Sequence, residues 1–396
     1  MLGGDGRVNR NVMVLALFYA FIYMSTGAFS SYIGVYFAAE GIGHGHVGIL
    51  TSIGAVVGMV AQPCWGLLSD RSKYKNHVLM VCTLLSAALV WFVPWAGTLF
   101  VPLLVAMALF SVFQAAINPL SDAITLELAS KGVVRFTTIR TIGSVGYAFI
   151  SVVAGWLFAR DIHSIFLVTS LILFGCFLLS MGIPPVAGHQ SGKKKVSLIE
   201  IFKNKQLVVL YAYTLVMATT FGFFLAFQAI YSKEQGISME LIGLGLAIGS
   251  FSQFPFMIFF QRIYQRFGIR NILLVSGLVH ALRWILYAYA LSPATVLLTW
   301  MLHGGTYILF YLCLAEYVNT HVMKELKATG QMLNSVIQLG VGRIIGGMLG
   351  GLYAAKFGFQ SSFVVCFTVS MLSMAFYYGI TRQKKIPQCL EKDVAQ

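Results

Sequence analysis

Apolar stretches long enough to cross a bilayer recur along the whole chain, at 12–38, 46–68, 77–95, 98–128, 137–159, 163–183, 206–231, 239–260, 271–291, 294–317, 329–355 and 358–380. A transmembrane helix needs about 20 such residues, so twelve spans are predicted within the 396 residues. Several runs follow one another so closely that only helical hairpins can join them. Backbone in hydrocarbon must satisfy its own hydrogen bonds, which selects helix throughout. The predicted fold class is therefore an all-α polytopic membrane protein in the lipid bilayer. Composition excludes the alternative: 10% of residues are charged and the mean hydropathy is +0.81, against about 25% charged in soluble domains.

The formal net charge of +14 reads as topology. Arg7, Arg10, Arg71, Lys73, Lys75, Lys131, Arg135, Lys193, Lys194, Lys195, Lys203, Lys205, Arg262, Arg266, Arg270, Lys324, Lys327, Arg382, Lys384, Lys385 and Lys392 fall on one face. Only Arg160, Lys233 and Lys356 fall on the other. By the positive-inside rule both termini are cytoplasmic, and the first apolar stretch, which lacks a cleavage site, is expected to stay as a span. No basic domain or zinc-finger spacing points to nucleic acid. The six cysteines are scattered singly and read as small apolar residues, with no metal-ligand set.

The longest polar stretch holds Pro184, Pro185 and three consecutive lysines. It divides the chain into a six-helix N-terminal half (1–183), a linker (184–205), a six-helix C-terminal half (206–381) and a tail (382–396). The halves repeat: Gly66-Leu-Leu-Ser-Asp70-Arg71-Ser-Lys-Tyr-Lys75-Asn76 aligns with Gln261-Arg-Ile-Tyr-Gln265-Arg266-Phe-Gly-Ile-Arg270-Asn271. Parallel six-span repeats are the signature of a secondary transporter whose substrate binds near the midplane between pseudo-symmetric halves.

Ionisable groups inside spans are functional candidates because burying each in lipid is costly. Asp122 lies toward the inner end of the fourth span and Arg140 toward the inner start of the fifth, so a helical hairpin sets them at similar depth. Their pairing either locks the helices together or offers a carboxylate and an arginine fork to a polar solute. Tyr147, two turns beyond Arg140, can present a ring to a ligand. Arg283 and His303 face each other across a second short hairpin. A histidine there either satisfies a hydrogen bond or exchanges protons, and Gly304-Gly305 lets another group approach. Glu316 is a further proton-carrying candidate or a helix-end carboxylate. Ser250 and Gln253 are neutral hydrogen-bonding groups for the cavity. Arg343 sits in a glycine-rich run that reads as packing, with no sequence-local partner.

The Gly66–Asn76 stretch resembles the glycine-x-x-x-aspartate-arginine loop of the major facilitator superfamily, and the resemblance covers essentially the whole chain. It implies a gating role for Asp70 and Arg71, with Gln265 leaving the second copy a weaker latch. Asp122, Arg140 and Gly143-Ser-Val-Gly146-Tyr147 resemble the acid, arginine and aromatic of lactose-permease-type proton symporters, and Arg283 and His303 an arginine and histidine of that group. That group has carboxylates where this chain has Ser250 and Thr306. Pro119-Leu-Ser-Asp122-Ala123, Arg283-Trp284 and Leu302-His303-Gly-Gly-Thr306-Tyr307 are similar to phenylpropionate-type permeases. Phe202-Lys-Asn-Lys205 and Arg266-Phe-Gly-Ile-Arg-Asn271 are similar to nucleoside proton symporters; both of these groups carry a carboxylate where this chain has Gln253.

The function expected is proton-coupled symport of a sugar, nucleoside or aromatic carboxylate by alternating access. Arg140, Tyr147, Ser250, Gln253, Arg283 and His303 are expected to bind substrate, and Asp122, His303 or Glu316 to exchange the proton. No cofactor beyond the proton is expected, and the protein should act as a monomer in the plasma (inner) membrane. A proton antiporter or effluxer is the alternative. An enzyme fits poorly, because no nucleophile, carboxylate pair or metal set has mechanistic spacing.

Overall fold

The computed structural model describes residues 4–188, 204–289, 292–323 and 326–383, and these are helical almost throughout. In the first half, α1 (Gly4–Phe29) continues after a turn as Ile33–Ala39. It is followed by α2 (His44–Arg71) and by α3 (Lys75–Leu89), which is prolonged by Phe92–Trp95. Then come α4 (Phe100–Ser130), α5 (Phe136–Arg160) and α6 (Ser164–Ser180). The second half opens with α7 (Lys205–Glu234). Met239–Tyr289 breaks at Gly268 (φ 69°, ψ 157°) into α8 (239–267) and α9 (269–289). The next span, α10, is interrupted: Pro293–Met301, a 3₁₀ turn Leu302–Gly305, then Tyr307–His321. The last pair starts with Lys327–Ser335 and a π turn Val336–Val341. Gly342–Gln383 then breaks at Gly358 (φ 82°, ψ 165°), giving α11 (327–357) and α12 (359–383).

Nine of the described helices are long and apolar enough to span a bilayer, and Ser164–Ser180 is a shorter apolar one. Two of the nine are divided at Gly268 and Gly358, which brings the described spans to twelve. Each division is a turn at positive φ, a conformation glycine adopts without the steric cost other residues incur. Apolar side chains cover the outside, with Trp95 76%, Ile258 73% and Phe376 72% exposed. Surfaces this greasy require lipid around them.

Within the first half α1 packs on α5 and α6, while α4 packs on α2 and α3. In the second, α7 packs on the α11–α12 stretch and α10 on α8–α9. The halves meet along two seams, α5 with α8 and α2 with α11, where small residues let backbones approach. A β-carbon on Gly155 would stand 2.7 Å from the Met239 carbonyl and 3.3 Å from the Gly243 Cα. One on Gly351 would stand 3.0 Å from the His44 carbonyl. His44 Nε2 also lies 3.5 Å from Glu234 Oε1 and its ring 4.5 Å from Phe359, tying α2 to α7 and α12.

These contacts lie at the ends of the spans remote from the loop that joins the halves. Toward the other ends the seams part: α2 is buried at Val47, Gly48, Leu50 and Ser52 but exposed at Gln62, Pro63, Cys64, Leu67 and Leu68. Likewise α8 is buried at Ala247, Gly249 and Ser250 and exposed at Met257, Gln261 and Arg262. A chamber between the halves therefore opens toward the α2–α3 and α8–α9 loops.

The linker starts by docking on the α2–α3 loop. The Asn76 amide donates to the carbonyls of Ile183 and Pro184 at 3.2 and 3.1 Å, and its Oδ1 accepts from the Val186 N–H at 2.9 Å. Residues 189–203 of the linker and 384–396 of the tail, Lys324, and the side chain of Arg7 lie outside the described residues. So do the sequence expectations placed on Lys193, Lys194, Lys195, Lys203, Lys384, Lys385, Lys392 and Cys389.

Candidate substrate and coupling site

The α4–α5 hairpin brings Asp122 and Arg140 together, with Arg140 Nη1 3.6 Å from Asp122 Oδ2. The other carboxylate oxygen accepts a 2.7 Å hydrogen bond from the Tyr19 hydroxyl on α1. One turn along α1, the Tyr23 ring lies 5.6 Å from the Arg140 guanidinium carbon. The pair is not sealed: the side chains of Arg140 and Asp122 are 49% and 34% exposed. A long, single-point contact between partly solvated ions is weak, so either partner can turn to a polar solute at small cost.

Around this pair the chamber wall is tyrosine-rich. The Tyr147 hydroxyl lies 3.1 Å from Ser31 Oγ and within electrostatic reach of Arg343. From α10, the Tyr307 hydroxyl is within reach of Arg343, Tyr311, Arg140 and Tyr23. Groups from α1, α5, α10 and α11 thus converge between the halves. Ser250 Oγ donates to the Ser144 carbonyl of α5 at 3.1 Å, bridging the seam. Gln253 makes a long 3.5 Å contact with the Gly249 carbonyl of its own helix.

Arg283 occupies a different setting. It is 0% exposed and packed among Phe224, Trp284 and Trp300, whose ring centroids lie 4.6, 5.4 and 5.8 Å from its guanidinium carbon. Its Nη1 donates to Thr306 Oγ1 at 3.1 Å and contacts His303 Nδ1 at 3.5 Å. Arginine has no acceptor, so the accepting atom in that contact is Nδ1, and the imidazole proton sits on Nε2. Nε and Nη2 of Arg283 are buried without hydrogen-bond partners. Aromatic faces attract the cation and partly replace them.

The α10 interruption explains this arrangement. Thr306 takes φ −114°, ψ −100°, which frees carbonyls that a continuous helix would have used. Ser276 Oγ of α9 donates to the Gly305 and Thr306 carbonyls at 2.7 and 3.2 Å. The group that approaches at Gly304 is Ser252 of α8: its carbonyl occupies the space a β-carbon would need, and its Oγ accepts from the Gly304 N–H at 2.9 Å. His303 stacks on Phe221 and Tyr307. His280, also buried, donates from Nδ1 to the Ser276 carbonyl at 3.1 Å.

Glu316 stands apart from both centres, more than two turns beyond Tyr307, and accepts from Gln261 Nε2 at 3.2 Å. That contact joins α10 to the second copy of the loop motif. In the first copy Asp70 lies 3.4 Å from Lys75, which lies 3.6 Å from Glu127, itself 3.1 Å from Lys131. The motif is therefore strapped to the end of α4, and Arg71 is exposed beside it.

Sequence reasoning missed Tyr19, Tyr23, Tyr311 and the place of Arg343. The tyrosines carry a signal: Tyr19 and Tyr23, and again Tyr307 and Tyr311, are four apart, on one face of their helices. Arg343 carries none, because its neighbours come from α5 and α10.

The model of the MFS_1-like family matches residues 12–365. An uncharacterized transporter of Bacillus subtilis, YwbF, is 28% identical over 383 residues, covering 95% of this chain and 94% of the relative. A maltose permease of Geobacillus stearothermophilus is 28% identical over 348 residues, 85% of this chain and 86% of the relative. The crystal structure of the nucleoside transporter NupG superposes with a TM-score of 0.84 at 15% identity, covering 94% of this chain and 99% of that one. The family match spans most of the chain and the fold agrees with it: this protein is a membrane transporter of the major facilitator superfamily, a member of the MFS_1-like family.

Proposed function

We infer that the protein is a proton-coupled symporter that imports a small organic solute by alternating access. The observation that carries this reading is the Asp122–Arg140 pair, half-exposed in the chamber between the halves and steadied by Tyr19. A carboxylate in such a place exchanges protons with the chamber, and its arginine is free for solute whenever the carboxylate is neutral. Asp122 is accordingly the proton site. His303 orients Arg283 through its unprotonated Nδ1, and together they shape the C-terminal wall. Ser250 closes the α5–α8 seam, while Tyr147 and Gln253 complete the solute site. Glu316 and the Asp70–Lys75–Glu127 strap act at the loop side, where they help to set the balance between the two states.

With the termini cytoplasmic in the plasma (inner) membrane, the conformation seen here is inward-open. His44, Glu234 and Phe359 then belong to the closed outer gate. Proton and solute couple when each favours the transition only in the company of the other. The active unit in this reading is the single chain, whose two halves enclose the site.

The test is solute-induced proton movement in vesicles containing the protein, with a panel of sugars, nucleosides and aromatic carboxylates. Alkalinisation of the medium on adding one class supports symport. Acidification, or silence across the panel while a lipophilic cation is expelled, assigns the protein to efflux.

A further inference from the structure

Arg343 is exposed inside the chamber and belongs to none of the ion pairs among the described residues. It stands in the first turn of α11 after the π turn Val336–Val341. A π turn inserts an extra residue, which rotates the rest of the helix by about 100° relative to an unbroken α-helix. The backbone at Arg343 is pressed on α7, where a β-carbon on Gly222 would lie 2.8 Å from the Arg343 Cα. The guanidinium is exposed and within electrostatic range of Tyr147 of the opposite half and Tyr307 of its own. Tyr307 is also within electrostatic range of Arg140, so one phenol feels both cations.

The charges of the chamber do not cancel. Asp122 offsets Arg140 at 3.6 Å, and Arg283 is sequestered behind aromatic rings, which leaves Arg343 as an excess positive charge at membrane depth. Such a charge is tolerated in a span because it faces a water-filled cavity, and there it is open to a solute counter-ion. A sugar or nucleoside supplies dipoles only. A carboxylate supplies the missing charge and a planar pair of acceptors that match an arginine fork.

We propose that Arg343, with the hydroxyls of Tyr147 and Tyr307, binds the carboxylate of a small organic monoanion, and that Arg140 joins this site when Asp122 takes up a proton. The second clause rests on the symport reading; the first does not. Protonation of Asp122 releases Arg140 and adds a positive charge to the chamber, so proton and monoanion favour each other's binding and travel as a neutral pair. Linkage makes this reciprocal: carboxylate binding takes up a proton and tightens as pH falls.

The experiment is calorimetric titration of the purified full-length protein at pH 6 and pH 8. The ligands are acetate, hexanoate, benzoate, 3-phenylpropionate, the neutral alcohol 3-phenylpropan-1-ol, uridine and maltose. At least one carboxylate is expected to bind, more tightly at pH 6, and Arg343→Gln to weaken it about 10-fold or more, as befits a lost charge-assisted bond. Arg343→Lys should recover part of that loss, which separates a charge effect from misfolding. Where 3-phenylpropionate binds, the alcohol should bind at least about 10-fold more weakly. Carboxylate binding unchanged in Arg343→Gln, an alcohol that binds as well as its acid, or no carboxylate binding at all overturns the proposal. A neutral solute that drives proton entry while no acid binds leaves symport standing and removes the anion site. An acid that binds through Arg343 without moving protons in vesicles leaves the site standing and removes symport.

Discussion

Arg140 and Arg283 are both arginines within spans, on α5 and α9, and their surroundings are opposite. Arg140 has a carboxylate partner at 3.6 Å and is half in solvent. Arg283 has no carboxylate partner among the described residues, is fully buried, and is held by Thr306, His303 and three aromatic rings. The first is built to change partners. The second is built to stay, since a charge moved into a low-dielectric site surrenders its hydration and cannot be released cheaply. In the reading proposed above, Arg140 is the arginine that exchanges partners with ligand and proton, while Arg283 is a fixed electrostatic element of the C-terminal wall.

Uptake should show the contrast most strongly. Arg140→Ala is expected to reduce solute uptake in proteoliposomes by about 100-fold or more, since the charge-assisted contact proposed for the solute is lost together with the partner of Asp122. Thermal stability should change little, because both side chains are already solvated. An Arg140→Ala protein that transports at parental rates would place the pair outside the site.

Stability should show the reverse. Thr306→Val removes the 3.1 Å bond from Arg283 Nη1 and leaves a buried cation with one long contact; the expected destabilisation is about 1–3 kcal/mol. Most of that cost should vanish in an Arg283→Met background, where no charge is left unpaired. A thermal-melt double-mutant cycle in detergent measures the coupling, and additive effects would contradict the account of the C-terminal wall. Tyr19→Phe is the matching deletion in the other half. It should cost about 1 kcal/mol or less, because water replaces the lost donor at Asp122.

The smallest effect is expected at the loop motif. Asp70→Asn breaks a contact with a carboxylate that is 47% exposed, which should cost under about 1 kcal/mol and less still at high salt. Its signature is a shift between the two conformations, read as altered accessibility of Cys64, which is exposed on α2, to a thiol reagent. Unchanged accessibility would leave Asp70 as an ordinary solvated turn residue.

Much of this architecture was legible in the sequence because it is local. Span lengths are set by bilayer thickness, and the approach of Asp122 to Arg140, and of Arg283 to His303, is set by helical hairpins of known length. Packing between distant spans was not legible. Tyr19 reaches Asp122 from 103 positions away, and the backbone that fills the space at Gly304 is that of Ser252, 52 positions earlier. The chamber position of Arg343 follows a π turn that no local residue pattern announces, and its electrostatic neighbours Tyr147 and Tyr307 come from α5 and α10. The glycine-rich run around it does pack, as that run suggests: Gly342 lies against Ala218 and Gly346 against the α7 backbone. The arginine simply leaves that face.

The central claim is that Asp122 carries the coupled proton, and one measurement addresses it directly: Asp122→Asn assayed in the same proteoliposomes for proton-driven accumulation and for solute exchange at zero gradient. The account predicts that exchange survives while accumulation is lost, because the asparagine holds Arg140 free but has no proton to give up. Accumulation at the parental level would show that the proton is carried elsewhere and would contradict the assignment.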